Sequence, residues 1–416
     1  MTPVPAGAEK NTRSVAVGTK STAVRGFEAS AVCAEIKKGR LRPDLTLIYS
    51  RTPAAVAAVF TRNRVQAAPI LINRERIVRG VGRAVLANSG NANACTGLPG
   101  LKDAKRLSQK AARLLGVPEE EIFLASTGVI GRRLPLSRMM RALPDLVRTL
   151  SPEGLPAAAE AIMTTDTFPK IVHEEIGVGK KAVRITALAK GAGMIRPDMA
   201  TMLCFVLTDL AVHPALLQEL LRQAVDRSFH RITVDGDTST NDMVLVLANG
   251  QAENPPLTRL GDPNSRAFSR TLDRMLLQLA RLLIRDGEGA TKEVTLIVQG
   301  AASEAEARTL ALTVAHSPLV KTALYGQDAN WGRILAALGR AGVPIDPLKV
   351  EVFFDRVQVV KNGIGTGEKE EQRAASILKK RAFTLRIRLN QGNAAARIYT
   401  CDLSLDYVRI NAEYRT

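Results

Sequence analysis

Residues 190–207 read KGAGMIRPDMATMLCFVL, and the chain changes character at Thr201. Before it lies a loop of glycine, proline and methionine; after it Met202-Leu-Cys-Phe-Val-Leu207 is unbroken and apolar. A short apolar run bounded by turn residues predicts a strand buried on both faces. A hydroxyl at that junction would sit at the mouth of a sheet, beside glycine-rich backbone able to present N–H groups to an anion or oxyanion.

Outward from this stretch the same alternation repeats. Leu45–Tyr49, Ile70–Asn73, Ala84–Ala87, Ile122–Ala125, Val183–Leu188, Met243–Ala248 and Val294–Val298 cluster β-branched or apolar residues between breaks and predict strands. Leu217, Leu220, Leu221 and Ala224, then Leu272, Met275, Leu276, Leu279 and Leu283, recur at three and four and predict one-faced helices. From Val350 onward the pattern predicts strands at Val350–Phe354, Arg356–Val360, Thr384–Leu389, Ala395–Tyr399 and Leu405–Ile410. Hairpin turns are predicted at Asn362-Gly363 and Gly392-Asn393, with one helix near Glu370–Lys380. The fold class is mixed α and β, in layers.

Composition narrows the function classes. With 416 residues, 46% hydrophobic and 24% charged, the chain suits a large globular core rather than disorder. Its apolar runs are too short for a membrane helix. Cys33, Cys95, Cys204 and Cys401 are far apart without a C-x-x-C pair, which predicts a reducing cytosol and neither zinc nor disulfide staples. The +18 net charge is concentrated before residue 200, yet no basic run exceeds Lys379-Lys380-Arg381 and only 4% of residues are aromatic. A solvated basic surface is favoured over a nucleic-acid footprint. Residues 1–25 lack the apolar stretch of a signal peptide and read as a loose tail.

Several motifs fail on their own terms. Gly177-Val-Gly-Lys180 and Gly18-Thr-Lys-Ser21 lack the earlier glycine of a phosphate loop, and Gly363–Gly367 runs into a charged segment. Asp235–Asp242 has neither the sixth-position glycine nor the final glutamate of a calcium loop. Ser376-Ile-Leu-Lys379 lacks companion motifs. His173, His213, His230 and His316 have no partner at i+4 and no G-x-S-x-G serine. What remains are three loops after or before apolar strands: Ala87–Gly97, Ser126–Gly131 and Lys190–Thr201.

Lys190-Gly-Ala-Gly-Met-Ile195, Met199-Ala-Thr-Met-Leu203, Gly236-Asp-Thr-Ser-Thr-Asn-Asp242, Leu319-Val-Lys-Thr-Ala323, Asn330-Trp-Gly-Arg333 and Ile410-Asn-Ala-Glu-Tyr-Arg-Thr416 resemble the ornithine acetyltransferase (glutamate N-acetyltransferase) family of arginine biosynthesis. The resemblance runs from about Gly26-Phe27 to the last residue. It implies a layered αββα sandwich of the DmpA-like kind, and a precursor that cuts itself between Ala200 and Thr201. The resulting α chain (26–200) and β chain (201–416) would stay together in an α2β2 assembly. Carried over by motif, Thr201 is the nucleophile and Thr127 and Gly128 the oxyanion donors. Thr167, Lys190, Thr201, Glu288, Asn411 and Thr416 are substrate-binding. The implied reaction moves acetyl from N2-acetyl-L-ornithine to L-glutamate with no metal or cofactor, leaving acetyl-CoA open as a co-substrate. Its partners are small amino acids, not nucleic acid or membrane. Asp198 departs from the family's more usual asparagine, which bears on processing rate, and the segment before Val24 exceeds the family's shorter members.

The residues suit that chemistry. A threonine hydroxyl is a weak nucleophile, but a chain that begins with threonine carries its own base, an α-amine with pKa about 7.7–8. Lys190 and Glu288 supply one cation for an amino acid's carboxylate and one anion for its ammonium. Two other classes share some features: a self-cleaved amidohydrolase or aminopeptidase, with water as acyl acceptor, and a basic nucleic-acid-binding protein.

Overall fold

The computed structural model describes residues 21–37, 42–196 and 202–413. Up to residue 196 the chain forms strands β1 (Phe27–Val32) and β2 (Leu45–Phe60), helix α1 (Ala68–Arg76), β3 (Val81–Asn91), α2 (Gly97–Leu115), β4 (Ile122–Val129), α3 (Leu136–Arg148), α4 (Leu155–Ala161), β5 (Lys170–Val178) and β6 (Lys181–Lys190). Next come β7 (Leu203–Thr208), α5 (Pro214–Arg227), β8 (Ile232–Thr233), β9 (Met243–Ala248), α6 (Pro263–Arg285), β10 (Glu293–Ala301), α7 (Glu304–Ala315), α8 (Pro318–Tyr325) and α9 (Trp331–Gly339). The last stretch forms β11 (Glu351–Phe354), β12 (Val357–Lys361), β13 (Ile364–Gly365), α10 (Glu368–Leu378), β14 (Ala382–Arg388), β15 (Ala394–Cys401) and α11 (Leu405–Ala412).

The first sheet runs β4-β3-β2-β9-β7-β6-β5, with β1 also on β2. Strand β2 is long enough to change neighbours: β1 pairs with Leu45–Ser50 and β9 with Ala55–Phe60. Its side chains show what this does to the sheet. Leu45 and Leu47 pack outward beneath α1, α2 and α3, whereas Ala55, Ala57 and Val59 pack outward beneath α5 and α6. Ile48, Val56, Ala58 and Phe60 point inward, where Phe123 of β4 meets Phe205 of β7 and Leu245 of β9 in one core. The two halves of the sheet therefore face each other with helices outside, an αββα sandwich.

The apolar run after Thr201 follows from this placement. Leu203, Phe205 and Leu207 enter the inner core while Cys204 and Val206 face α5 and α6, so β7 has no wet side. Cutting the fully buried Phe205 back to alanine would cost about 3–5 kcal/mol. Because β9 lies between β2 and β7, segments from both sides of residue 200 share one sheet.

A second sheet, β13-β12-β11-β14-β10-β15-β8, covers α6 from the other side. Val294, Leu296, Val298, Phe354, Leu385 and Ile398 pack it against α7–α10, while Tyr399 and Cys401 join the core under α6. Asn362 (φ 51°) and Gly363 (φ 75°) close the two-residue turn between β12 and β13, as their pairing of left-handed formers predicts.

Four expectations differ from the structure. Ile70–Asn73 lies in α1, not a strand: Pro69 starts the helix, and Asn73 turns its amide onto the Leu124 backbone N–H and C=O of β4. Leu405–Ile410 is α11, started by the Ser404 hydroxyl accepting from the Tyr407 N–H, with Asp406 in the first turn and Arg409 in the last. Gly392-Asn393 does not close a hairpin, since β14 and β15 lie on opposite sides of β10. Finally, the end of the supposed tail is docked: Val24 is buried, the Thr186 hydroxyl donates to the Thr22 carbonyl, and Arg25 pairs with Asp209 at 2.6 Å. Among the described residues no helix is long and apolar enough to cross a membrane.

Candidate active site

At one rim of the sandwich, β3, β4 and β6 end and β7 and β9 begin. These ends surround a cavity of about 210 Å³. Thr127 and Gly128 come from β4, Lys190 from the end of β6, and Ser239, Thr240 and Asn241 from the loop before β9. Glu288, from the turn after α6, and Asn411 of α11 complete the far side.

The β4 wall is shaped by backbone crowding. The β3–β4 pairing slips at Gly90 and Asn91, so that Asn91 faces both Thr127 and Val129. Gly128 has φ 133°, and a Cβ there would stand 2.3 Å from the Gly90 carbonyl carbon, so only glycine fits. The Asn241 amide donates to Ala92 O at 2.6 Å and Ser126 O at 2.9 Å, tying the loop before β9 to the opposite half of the sandwich.

The charged groups sit in a dry setting. Lys190 is 2% exposed and donates to the Thr127 hydroxyl at 3.2 Å. Burial pulls its pKa down against the pull of Asp166. Glu288 accepts from Asn411 Nδ2 at 2.8 Å, and its own N–H donates to Ala192 O. A Cβ on Gly193 would stand 2.3 Å from Glu288 Oε2, so the bare glycine makes room for the carboxylate.

The Asp235–Asp242 loop serves the backbone rather than a cation. Asp235 accepts from the Met194 and Ile195 N–H groups and from the Tyr407 hydroxyl, fastening α11 to the loop after Lys190. Asp242 accepts from Met202 N–H through Oδ1 at 3.0 Å, while Oδ2 has no partner among the described residues. Full burial pushes this carboxyl well above the usual carboxylate range. Among the described residues no three His, Cys, Asp or Glu side chains gather as a metal site. The histidines serve elsewhere: His173 meets the Thr186 hydroxyl, His213 caps α5, and His316, pushed down to about 4 by burial, meets the Thr233 hydroxyl.

Of the residues singled out by sequence, Thr127, Gly128, Lys190, Glu288 and Asn411 converge on this cavity. Ala200, Thr201 and Thr416, with Asp198, lie outside the described residues. Thr167 stands apart from the lining, its N–H and hydroxyl both given to Asp286. Thr164 and Thr165 of the same Thr-Thr-Asp-Thr run line the cavity instead. Ser239, Thr240 and Asn241 belong to the Gly236–Asp242 segment that carries the family resemblance, but no residue of it is predicted from sequence to line the site. The assembled groups offer a buried cation and a carboxylate to an amino-acid zwitterion, and hydroxyl and amide donors to a carbonyl oxygen.

The model of the ArgJ family matches residues 28–416. The arginine biosynthesis bifunctional protein ArgJ of Geobacter sulfurreducens is 51% identical over 394 residues, covering 94% of this chain and 100% of the relative. Its counterpart in Syntrophotalea carbinolica is 49% identical, covering 94% and 99%. A crystal structure of the Bacillus halodurans ArgJ protein is 42% identical and covers 50% of this chain and 97% of that one, with a TM-score of 0.48. With a family match that takes in all the cavity residues and near one-half identity to relatives over their whole length, the chain belongs to the ArgJ family.

Proposed function

We propose that this chain is a self-processing N-terminal-nucleophile acetyltransferase of arginine biosynthesis, moving acetyl from N2-acetyl-L-ornithine to L-glutamate. The observation that carries the reading is the convergence of Lys190, Thr127, Gly128 and Glu288 on one cavity at the start of the strand that follows Thr201. The names of the relatives, bifunctional proteins of arginine biosynthesis, point the same way.

In this reading the Thr201 hydroxyl first attacks the Ala200 carbonyl, the acyl group shifts from nitrogen to oxygen and so frees the Thr201 α-amine, and water then cleaves the ester to leave the Ala200 carboxylate and the free Thr201 hydroxyl. That amine then takes the hydroxyl proton as the oxygen attacks the acetyl carbonyl of the donor. The amide bond breaks, the proton passes to the leaving nitrogen, and ornithine departs. The amine of glutamate attacks the acetyl ester and regenerates the hydroxyl. The Thr127 hydroxyl and Gly128 N–H hold the oxyanion in both halves, each such donor supplying about 3–4 kcal/mol. Lys190 takes the ligand's carboxylate and Glu288 its ammonium, with Thr167, Asn411 and Thr416 as the further binding residues and Thr164 lining the same cavity. No cofactor is required, and acetyl-CoA is a second donor to compare. The two chains stay joined through the shared sheet, assemble as α2β2 and work in the cytosol.

Mass spectrometry tests the reading. Acetylornithine alone should add one acetyl group to a fragment beginning Thr-Met-Leu-Cys, and glutamate should remove it as N-acetylglutamate. Thr201→Ala should remain uncut and transfer nothing. An intact chain that transfers acetyl would sink self-processing, and release of free acetate in place of N-acetylglutamate would mark a hydrolase.

A further inference from the structure

Behind the cavity wall lies a buried ion cluster formed by Lys170, Asp166 and Asp286. Lys170 is 0% exposed, and its Nζ donates to Asp166 Oδ1 at 2.7 Å and to Asp286 Oδ2 at 2.5 Å. Each carboxylate also holds backbone beside a cavity residue. Asp166 accepts from the N–H of Thr164, which lines the cavity, and from the N–H of Gly191, next to Lys190. Asp286 accepts from Thr167 and lies two residues before Glu288. One ammonium thus ties together three parts of the wall, and its two partners come from either side of residue 200.

Such a cluster adds little net stability, because the cost of removing three charges from water offsets most of their attraction. What it supplies is fixed geometry and a balance of charge. Burial drives the Asp166 carboxyl upward, but Lys170, Lys190 and the Gly191 N–H more than offset it and hold it ionised, well below the usual range. Lys190 is the other cation within reach of Asp166. Were Lys170 neutral, Asp166 would be left with Lys190 as its counter-ion, and Lys190 would be drawn away from any ligand carboxylate.

We propose that Lys170 is a positioning residue for substrate binding: by engaging Asp166 and Asp286 together it sets Thr164, Lys190 and Glu288 around the ligand and leaves the Lys190 charge for the ligand's carboxylate. The identity of that ligand rests on the acetyltransferase reading; the positioning does not.

The test uses full-length Lys170→Met, Asp286→Asn and the double variant Lys170→Met/Asp166→Asn, with kinetics on acetylornithine and glutamate. Lost uniform binding raises KM, so Lys170→Met should raise it about 10-fold or more with kcat within about 3-fold. Asp166→Asn removes the competing charge but keeps a carbonyl for Gly191, and should bring KM back to within about 3-fold of the parent. Unchanged KM in Lys170→Met, or a double variant no better than the single one, overturns the proposal. Hydrogen exchange gives a second reading that needs no turnover. In Asp286→Asn, peptides over 164–170, 190–193 and 286–289 should open together while β9 stays protected; loosening of 286–289 alone, or of β9 equally, overturns it. If Lys170→Met does not fold, the exchange pattern of Asp286→Asn decides. If the parent chain transfers no acetyl, the acetyltransferase reading falls and the exchange result alone judges Lys170.

Discussion

The Lys190 ammonium donates to the Thr127 hydroxyl across 3.2 Å, joining the last residue of β6 to β4 in the opposite half of the sandwich. A cation is thereby placed beside a proposed oxyanion donor, while Asp166, the carboxylate that pulls on it most strongly, is already engaged by Lys170. The consequences can be measured.

Lys190 should impose an alkaline limit on substrate binding. Its pKa is lowered by burial, so its charge is lost as pH rises through a value below the usual ~10.4 for lysine. KM for acetylornithine should rise along that limb, and Lys190→Arg should move the limb to higher pH. The sign for stability is opposite: the unfolded chain binds the extra proton between the lowered and ordinary values, so stability climbs with pH in that window. Lys190→Met should abolish the climb, as followed by thermal midpoints from pH 7 to 10.

Gly193→Ala should damage binding while leaving the fold intact. The added Cβ meets Glu288 Oε2 at 2.3 Å, so the carboxylate has to swing out of its place in the cavity and away from the Asn411 amide that donates to it. Steady-state kinetics should show a roughly 10-fold or larger loss in kcat/KM, with far-ultraviolet circular dichroism unchanged.

Asp242→Asn should stabilise the protein more as pH rises. The folded carboxyl titrates well above its unfolded value, so the folded state holds the extra proton, and stability falls as pH climbs from about 4 through the raised value. Asparagine keeps an acceptor for the Met202 N–H and removes that fall. Thermal midpoints at pH 5 and pH 8 should diverge between variant and parent; parallel curves would show that Asp242 is ionised at no cost.

Asn411→Ala removes the 2.8 Å hydrogen bond to Glu288. A hydrogen bond to a charged group contributes about 1.5–3 kcal/mol, so kcat/KM should fall by about 10- to 100-fold. Deleting 412–416 tests the remainder of the tail. Self-cleavage should persist in both proteins on denaturing gels, because neither change touches Thr127 or Gly128.

The apolar runs at 45–49, 84–87, 122–125, 203–207 and 243–248 determined their own strand character, because a strand covered on both faces admits no polar alternation. Asn362-Gly363 determined its turn through two left-handed residues. Local pattern misread Ile70–Asn73 and Leu405–Ile410, where Pro69 and the Ser404 cap outweighed β-branched composition. It was equally blind to the partner of Thr167, whose N–H and hydroxyl are both given to Asp286, 119 residues downstream. Glu288 and Lys190 are likewise distant in sequence, and Lys170 carried no signal as a cation that balances two carboxylates. Motif spacing records which groups a chain carries, whereas charge balance and hydrogen-bond partners are settled by which strand ends meet, and that was decided when β2 changed neighbours between the two halves of the sheet.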